Sequence, residues 1–99
     1  MKAKLENILR KSLEGCFDRG ALVRTPVPEF VVEIPKNVEH GHFATNLPMT
    51  LASSQRRAPR EIAEILLEPL REHAAFLEGV EIAGPGFLNF TIRAPEWRR

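Results

Sequence analysis

Val80-Glu81-Ile82-Ala83-Gly84-Pro85-Gly86-Phe87-Leu88-Asn89-Phe90-Thr91-Ile92 is the stretch that decides the fold. Val80 and Ile82 alternate with Glu81, Ala83-Gly84-Pro85-Gly86 reads as a turn, and residues 87–92 return with the same period of two, which predicts a hairpin. On the returning strand Leu88, Phe90 and Ile92 share one face, and Phe87, Asn89 and Thr91 share the other. A strand pair apolar on one side only needs cover on that side only. The pattern therefore predicts an α+β fold, an antiparallel sheet of three to four strands with helices packed on one face.

The rest of the chain supplies those partners. Leu5, Ile8, Leu9, Leu13, Cys16 and Phe17 recur at spacings of three and four, the stripe of an amphipathic helix, weakened in its last turn by Gly15 and stopped by Gly20. Thr25-Pro26-Val27-Pro28 must be extended, because each proline biases its predecessor away from helix. Phe30-Val31-Val32-Glu33-Ile34 reads as a strand, with Phe30, Val32 and Ile34 on one face and Val31 and Glu33 on the other; Pro35 and Lys36-Asn37-Val38-Glu39 end it. After a His40-Gly41-His42 loop, Phe43, Leu47 and Leu51 recur every four residues and predict a second helix starting near Ala44 or Asn46. Pro48 sits in its first turn, and Thr45 or Asn46 is its N-cap. Gln55-Arg56-Arg57-Ala58 breaks the chain, and Pro59 opens a third helix striped by Ile62, Ile65, Leu66 and Leu70. Pro69 conflicts with that helix and predicts a kink or restart near Glu68. The predicted order is α-β-α-α-β-β.

Composition bounds the function. The chain has 99 residues, 43% hydrophobic and 27% charged, values that suit one small globular domain and exclude collagen, coiled coil and disorder. Lys and Arg number 14 against 13 Asp and Glu, a net charge of +1, so any affinity for nucleic acid must come from a local patch. A single cysteine, Cys16, allows neither an internal disulfide nor a cysteine-based metal cluster, and its place on the apolar stripe makes it inert core. The N-terminal segment lacks the apolar core of a secretory signal, and no run is long enough to span a bilayer, so a soluble, cytoplasmic protein is expected. Residues 93–99 leave the last strand and carry Trp97 in a polar tail. They read as the start of a linker, so the chain is expected to be part of a longer protein.

Few residues are candidates for chemistry. Phe87 and Asn89 fall on the open face of the sheet beside a turn without bulky side chains. An exposed aromatic can stack on an unstacked base, and a neighbouring carboxamide, both donor and acceptor, can read a base edge, adenine included. The same residues could equally serve a small structural cluster, Phe87 with Val31, leaving Asn89 solvated. Arg56, Arg57 and Arg60 form a basic corner able to hold phosphates, or simply a solvated one. His40 and His42 invite a metal reading. Zinc needs three or four ligands, His73 is the only other histidine, and no metal site is expected. No nucleophile triad, paired-carboxylate site or P-loop can be assembled.

His40-Gly41-His42-Phe43-Ala44-Thr45-Asn46, Pro59-Arg60-Glu61-Ile62-Ala63 and Val80 through Phe90, taken in this order and spacing, closely resemble the N-terminal additional domain of arginyl-tRNA synthetases. The resemblance spans the first helix to Ile92, and the hairpin is its most specific part. It implies a four-stranded antiparallel sheet carrying helices, ahead of a class I catalytic domain in the same chain. The implied partner is tRNA-Arg, gripped at its elbow with contacts to the D-loop. The family's D-loop readers on the last strand carry over to Phe87 and Asn89, beside Gly84 and Gly86 of the turn. The implied domain is residues 1–92.

The resemblance further implies a monomeric parent that consumes ATP, with magnesium, to arginylate tRNA. The catalytic motifs and the anticodon-binding helices are absent from this sequence, so the segment is expected to hold no cofactor and perform no catalysis. An alternative reading is a structural or protein-interaction module packed on a neighbouring domain. There are departures from the family pattern: His42 stands where an acidic residue is usual, and Ala58 replaces a common capping Asn, at a cost of about 1 kcal/mol. Pro48 and Pro69 replace ordinary helix formers.

Overall fold

The computed structural model describes residues 1–35, 41–73 and 75–93. The expected strand terminator at 36–39, His40 and the linker beyond Arg93 lie outside them. Among the described residues, three helices, α1 (Lys2–Arg19), α2 (Leu47–Gln55) and α3 (Pro59–His73), accompany four strands, β1 (Val32–Glu33), β2 (Phe43–Thr45), β3 (Leu77–Ala83) and β4 (Phe87–Ile92). The sheet is antiparallel, in the order β1-β2-β4-β3. The α+β class is thus as the pattern predicted, and the fourth strand is Phe43–Thr45, between β1 and α2.

The core lies between the sheet and the helices. Leu5, Leu9, Leu13 and Cys16 of α1 and Ile62, Leu66 and Leu70 of α3 are fully buried together with Val32, Leu88 and Phe90 from the sheet. Burial pushes the Cys16 thiol pKa up, in keeping with a side chain that packs rather than reacts. The helix stops follow backbone chemistry. Gly20 ends α1 with a φ of 76°, and its N–H is donated to the Phe17 carbonyl. Arg56 ends α2 in the left-handed conformation, at φ 54°. Pro59 opens α3, and the Ala58 carbonyl accepts from the N–H groups of Glu61 and Ile62.

Three details differ from the sequence reading. β1 is only two residues long, and Ile34, expected on the core face, is 70% exposed. Pairing with β2 ends at Glu33, so Ile34 lies past the paired strand, and at the other end side chains, not a neighbouring strand, satisfy the backbone of Val31. Its N–H is donated to Asn46 Oδ1 (2.9 Å), and its carbonyl accepts from Thr45 Oγ1 (2.7 Å). The second helix begins at Leu47, with Asn46 at the N-cap position but without a capping side-chain bond. Phe43–Thr45 is drawn into the sheet by pairing with both β1 and β4. Finally, α3 does not restart at Glu68. It runs through a buried Pro69 to His73, and that continuation keeps Leu70 in the core. Burial of such a side chain, worth about 1.5–3 kcal/mol, offsets the proline penalty of about 3 kcal/mol.

The segment before β2 is pinned to β4. Gly41 has a φ of 93°, and a Cβ there would lie 2.6 Å from the Phe90 carbonyl oxygen, so only glycine fits. The His42 N–H is donated to that oxygen (2.8 Å), and His42 Nδ1 accepts the Ile92 N–H (2.9 Å). His42 thus ties the start of β2 to β4 through both its backbone and its ring.

Candidate nucleic-acid interface

The hairpin places one row of side chains away from the helices. Along β4, Leu88, Phe90 and Ile92 are buried, while Phe87, Asn89 and Thr91 are half-buried. Asn89 lies between Ala44 of β2 and Glu81 of β3, and Ala44 in turn pairs with Glu33 of β1. The row Glu33, Ala44, Asn89, Glu81 therefore crosses all four strands on the open face. Phe87 pairs with Ala83 at the turn end of the hairpin.

These residues line a shallow groove of about 320 Å³, bounded by Glu33, Pro35, Ala44, Ala83, Gly84, Pro85, Phe87 and Asn89. Most of its wall is apolar, with the carboxamide of Asn89 and the carboxylate of Glu33 as its polar groups. That is the composition expected of a site that holds a flat apolar ring and fixes its edge by hydrogen bonds. Ala44 and Ala83 leave room beside Phe87 that a larger side chain would fill. The sequence reading missed Ala44 and Glu33 as lining. Alternation had set Glu33 opposite Val32 and Glu81 opposite Val80, so a signal for both carboxylates was present.

The turn itself is shaped by glycine. Gly84 has a φ of 55° and Gly86 of 148°. The Gly86 N–H is donated to the Ala83 carbonyl at 3.3 Å. Gly86 is buried against the start of α3, where a Cβ would lie 2.4 Å from Pro59 Cβ. Arg60 Nη1 is donated to the Gly84 carbonyl at 2.5 Å.

The basic corner is thus divided. Arg60 is joined to the hairpin turn, whereas Arg56 caps α2 and Arg57 faces Glu61 at 3.9 Å, an exposed pair of little energetic weight. All three are exposed. Glu33 and Glu81 stand at the two ends of the row that holds Asn89, so this row is acidic at both edges, and Arg60 brings a cation to the turn end of the hairpin. Among the described residues, no group of three or more His, Cys, Asp or Glu side chains is placed to hold a metal ion. No helix among them is long and apolar enough to cross a membrane.

Comparison with known proteins gives this geometry a family. Residues 3–92 match the family described as the arginyl tRNA synthetase N terminal domain. An arginine–tRNA ligase of Citrifermentans bemidjiense is 48% identical over 99 residues, covering all of this chain and 18% of the relative. A namesake from Geotalea uraniireducens is 43% identical over the same length, again with 18% of its own chain covered. The chain therefore spans less than one fifth of the length of these relatives. Among solved structures, the arginyl-tRNA synthetase of Plasmodium falciparum shares the fold with a TM-score of 0.73 at 17% identity, over 92% of this chain and 16% of that one. The chain belongs to the arginyl-tRNA synthetase N-terminal domain family.

Proposed function

We propose that this domain is the tRNA-contacting N-terminal part of an arginine–tRNA ligase and grips the elbow of tRNA-Arg through the open face of its sheet. In this reading Phe87 stacks on an unpaired D-loop base while Asn89 hydrogen-bonds its edge. Gly84 and Gly86 let the RNA backbone approach the turn, and in the basic corner Arg56 and Arg57 meet phosphates while Arg60 stands at the turn itself. The observation that carries the reading is the groove that puts an aromatic ring and a carboxamide two residues apart on one exposed strand face, within a domain of this family. Loop bases in RNA are read by this combination of stacking and edge hydrogen bonding.

Residues 1–92 form the module, and the chain beyond leads toward a catalytic domain. That domain would supply ATP-dependent, magnesium-assisted arginylation in the cytoplasm, in a monomeric enzyme. In this reading the domain's own part is to position tRNA.

The test is a titration of the full-length ligase with tRNA-Arg and with a D-loop-altered tRNA, comparing wild type, Phe87→Ala and Asn89→Ala. Loss of a stacked base costs about 1–3 kcal/mol, so Phe87→Ala should weaken binding of the normal tRNA by roughly 5- to 150-fold. Asn89→Ala should lose most of the preference between the two tRNAs. If both variants bind both tRNAs as the wild type does, the elbow reading is wrong. In that case the exposed Val31 and Ile34, at 48% and 70%, favour packing of the β1 side on a neighbouring domain.

A further inference from the structure

We infer that Arg60 is a positioning residue for the RNA-facing turn, acting through Gly84 on Phe87. The inference rests on the tRNA reading above for its consequence and on the hairpin geometry for its substance. Gly84 and Gly86 both have positive φ, and the turn's own hydrogen bond, from the Gly86 N–H to the Ala83 carbonyl, is long at 3.3 Å. A turn of this kind has many accessible conformations and little to select among them. The selection comes from α3, 24 residues away in sequence. Its first residue, Pro59, is in contact with Gly86, to the point that a Cβ there would lie 2.4, 3.1 and 3.3 Å from the Cβ, carbonyl carbon and Cα of Pro59. Its second residue, Arg60, donates to the Gly84 carbonyl at 2.5 Å.

Gly84 is the link to the ring. A Cβ on it would lie 3.7 Å from Phe87 Cδ2, so the edge of the ring lies beside the residue whose carbonyl Arg60 holds. Fixing that peptide fixes the place of the ring before RNA arrives, which lowers the ordering cost of binding. A purely phosphate-binding Arg60 would contribute charge alone.

Two measurements on the full-length ligase separate these roles. The first is hydrogen exchange of the peptide spanning 83–88 without RNA. Arg60→Ala should speed it roughly two- to tenfold, the effect of one lost hydrogen bond. Unchanged exchange overturns the positioning role. The second is tRNA affinity across a salt series for wild type, Arg60→Ala, Phe87→Ala and the double variant. A positioning Arg60 weakens binding when Phe87 is present, has little effect when Phe87 is already alanine, and leaves the slope of log affinity against log salt unchanged. Equal losses in both backgrounds, with the slope falling by roughly 0.7–0.9, assign Arg60 to a phosphate and overturn the inference. If Phe87→Ala alone leaves affinity at the wild-type value, the tRNA reading fails, and the exchange result still decides whether Arg60 sets the turn.

Discussion

Replacing Gly86 with alanine should unseat the hairpin from α3. The residue has a φ of 148°, a conformation that side-chain-bearing residues rarely adopt, and forcing one there costs about 1–3 kcal/mol. The new methyl would also lie 2.4 Å from Pro59 Cβ, 3.1 Å from its carbonyl carbon and 3.3 Å from its Cα. Ordinary carbon contacts are about 3.5–4.0 Å. The obstacle is a ring carbon and backbone at the start of a helix, not the end of a flexible side chain, so it cannot rotate away. Overpacking of this kind costs about 1–3 kcal/mol. A shift of the turn relieves both terms at once, so they do not simply add, and a total of about 3 kcal/mol is expected. For a domain of this size that corresponds to a fall in Tm of roughly 12–24 °C.

Urea unfolding of the 99-residue chain, followed by far-ultraviolet circular dichroism, measures this directly. A double-mutant cycle sharpens it. Pro59→Gly removes the nearest carbon and leaves the two contacts above 3.0 Å, so in that background Gly86→Ala should cost at least about 1 kcal/mol less. A loss below about 0.5 kcal/mol for Gly86→Ala, or no coupling to Pro59, would refute the packing of turn on helix.

Two further substitutions test the scaffold. Gly15 is half-exposed in α1, and a Cβ there meets nothing within 4 Å, so Gly15→Ala should raise stability by about 0.5–1 kcal/mol; a lower melting temperature would contradict this. Gln55 is buried at the end of α2, where its Nε2 donates to the Val23 carbonyl (2.7 Å) and its Oε1 accepts the Val23 N–H (2.9 Å), holding the loop after α1 as a strand would. Gln55→Ala should cost about 1–2 kcal/mol, and an unchanged urea midpoint would show that water serves Val23 equally well.

Where the physics is local, it was legible in the chain. The stripe of α1 and its glycine stop, the proline start of α3 and the alternation of β4 each follow from side-chain spacing and backbone freedom within one segment. Phe43 shows where that reasoning runs out. It stands four residues before Leu47, a helical spacing, yet Phe43–Thr45 is a strand because β1 and β4 offer hydrogen bonds on both sides. Ile34 was set on the core face by alternation and is exposed, because pairing with β2 ends at Glu33 and leaves Ile34 beyond the paired strand. Pro69 stays inside α3 because the core holds Leu70.

For the candidate site, the sequence by itself determined the face: a period of two leaves no choice about which side Phe87 and Asn89 share. Tertiary structure alone decided what surrounds them. Glu33, Ala44 and Glu81 join Asn89 in one row only through strand pairing, and Arg60 reaches Gly84 only because α3 docks on the hairpin. A contact between residues 24 positions apart leaves no local signature, since no periodicity or propensity encodes it. It arises only once the core has brought helix and turn together.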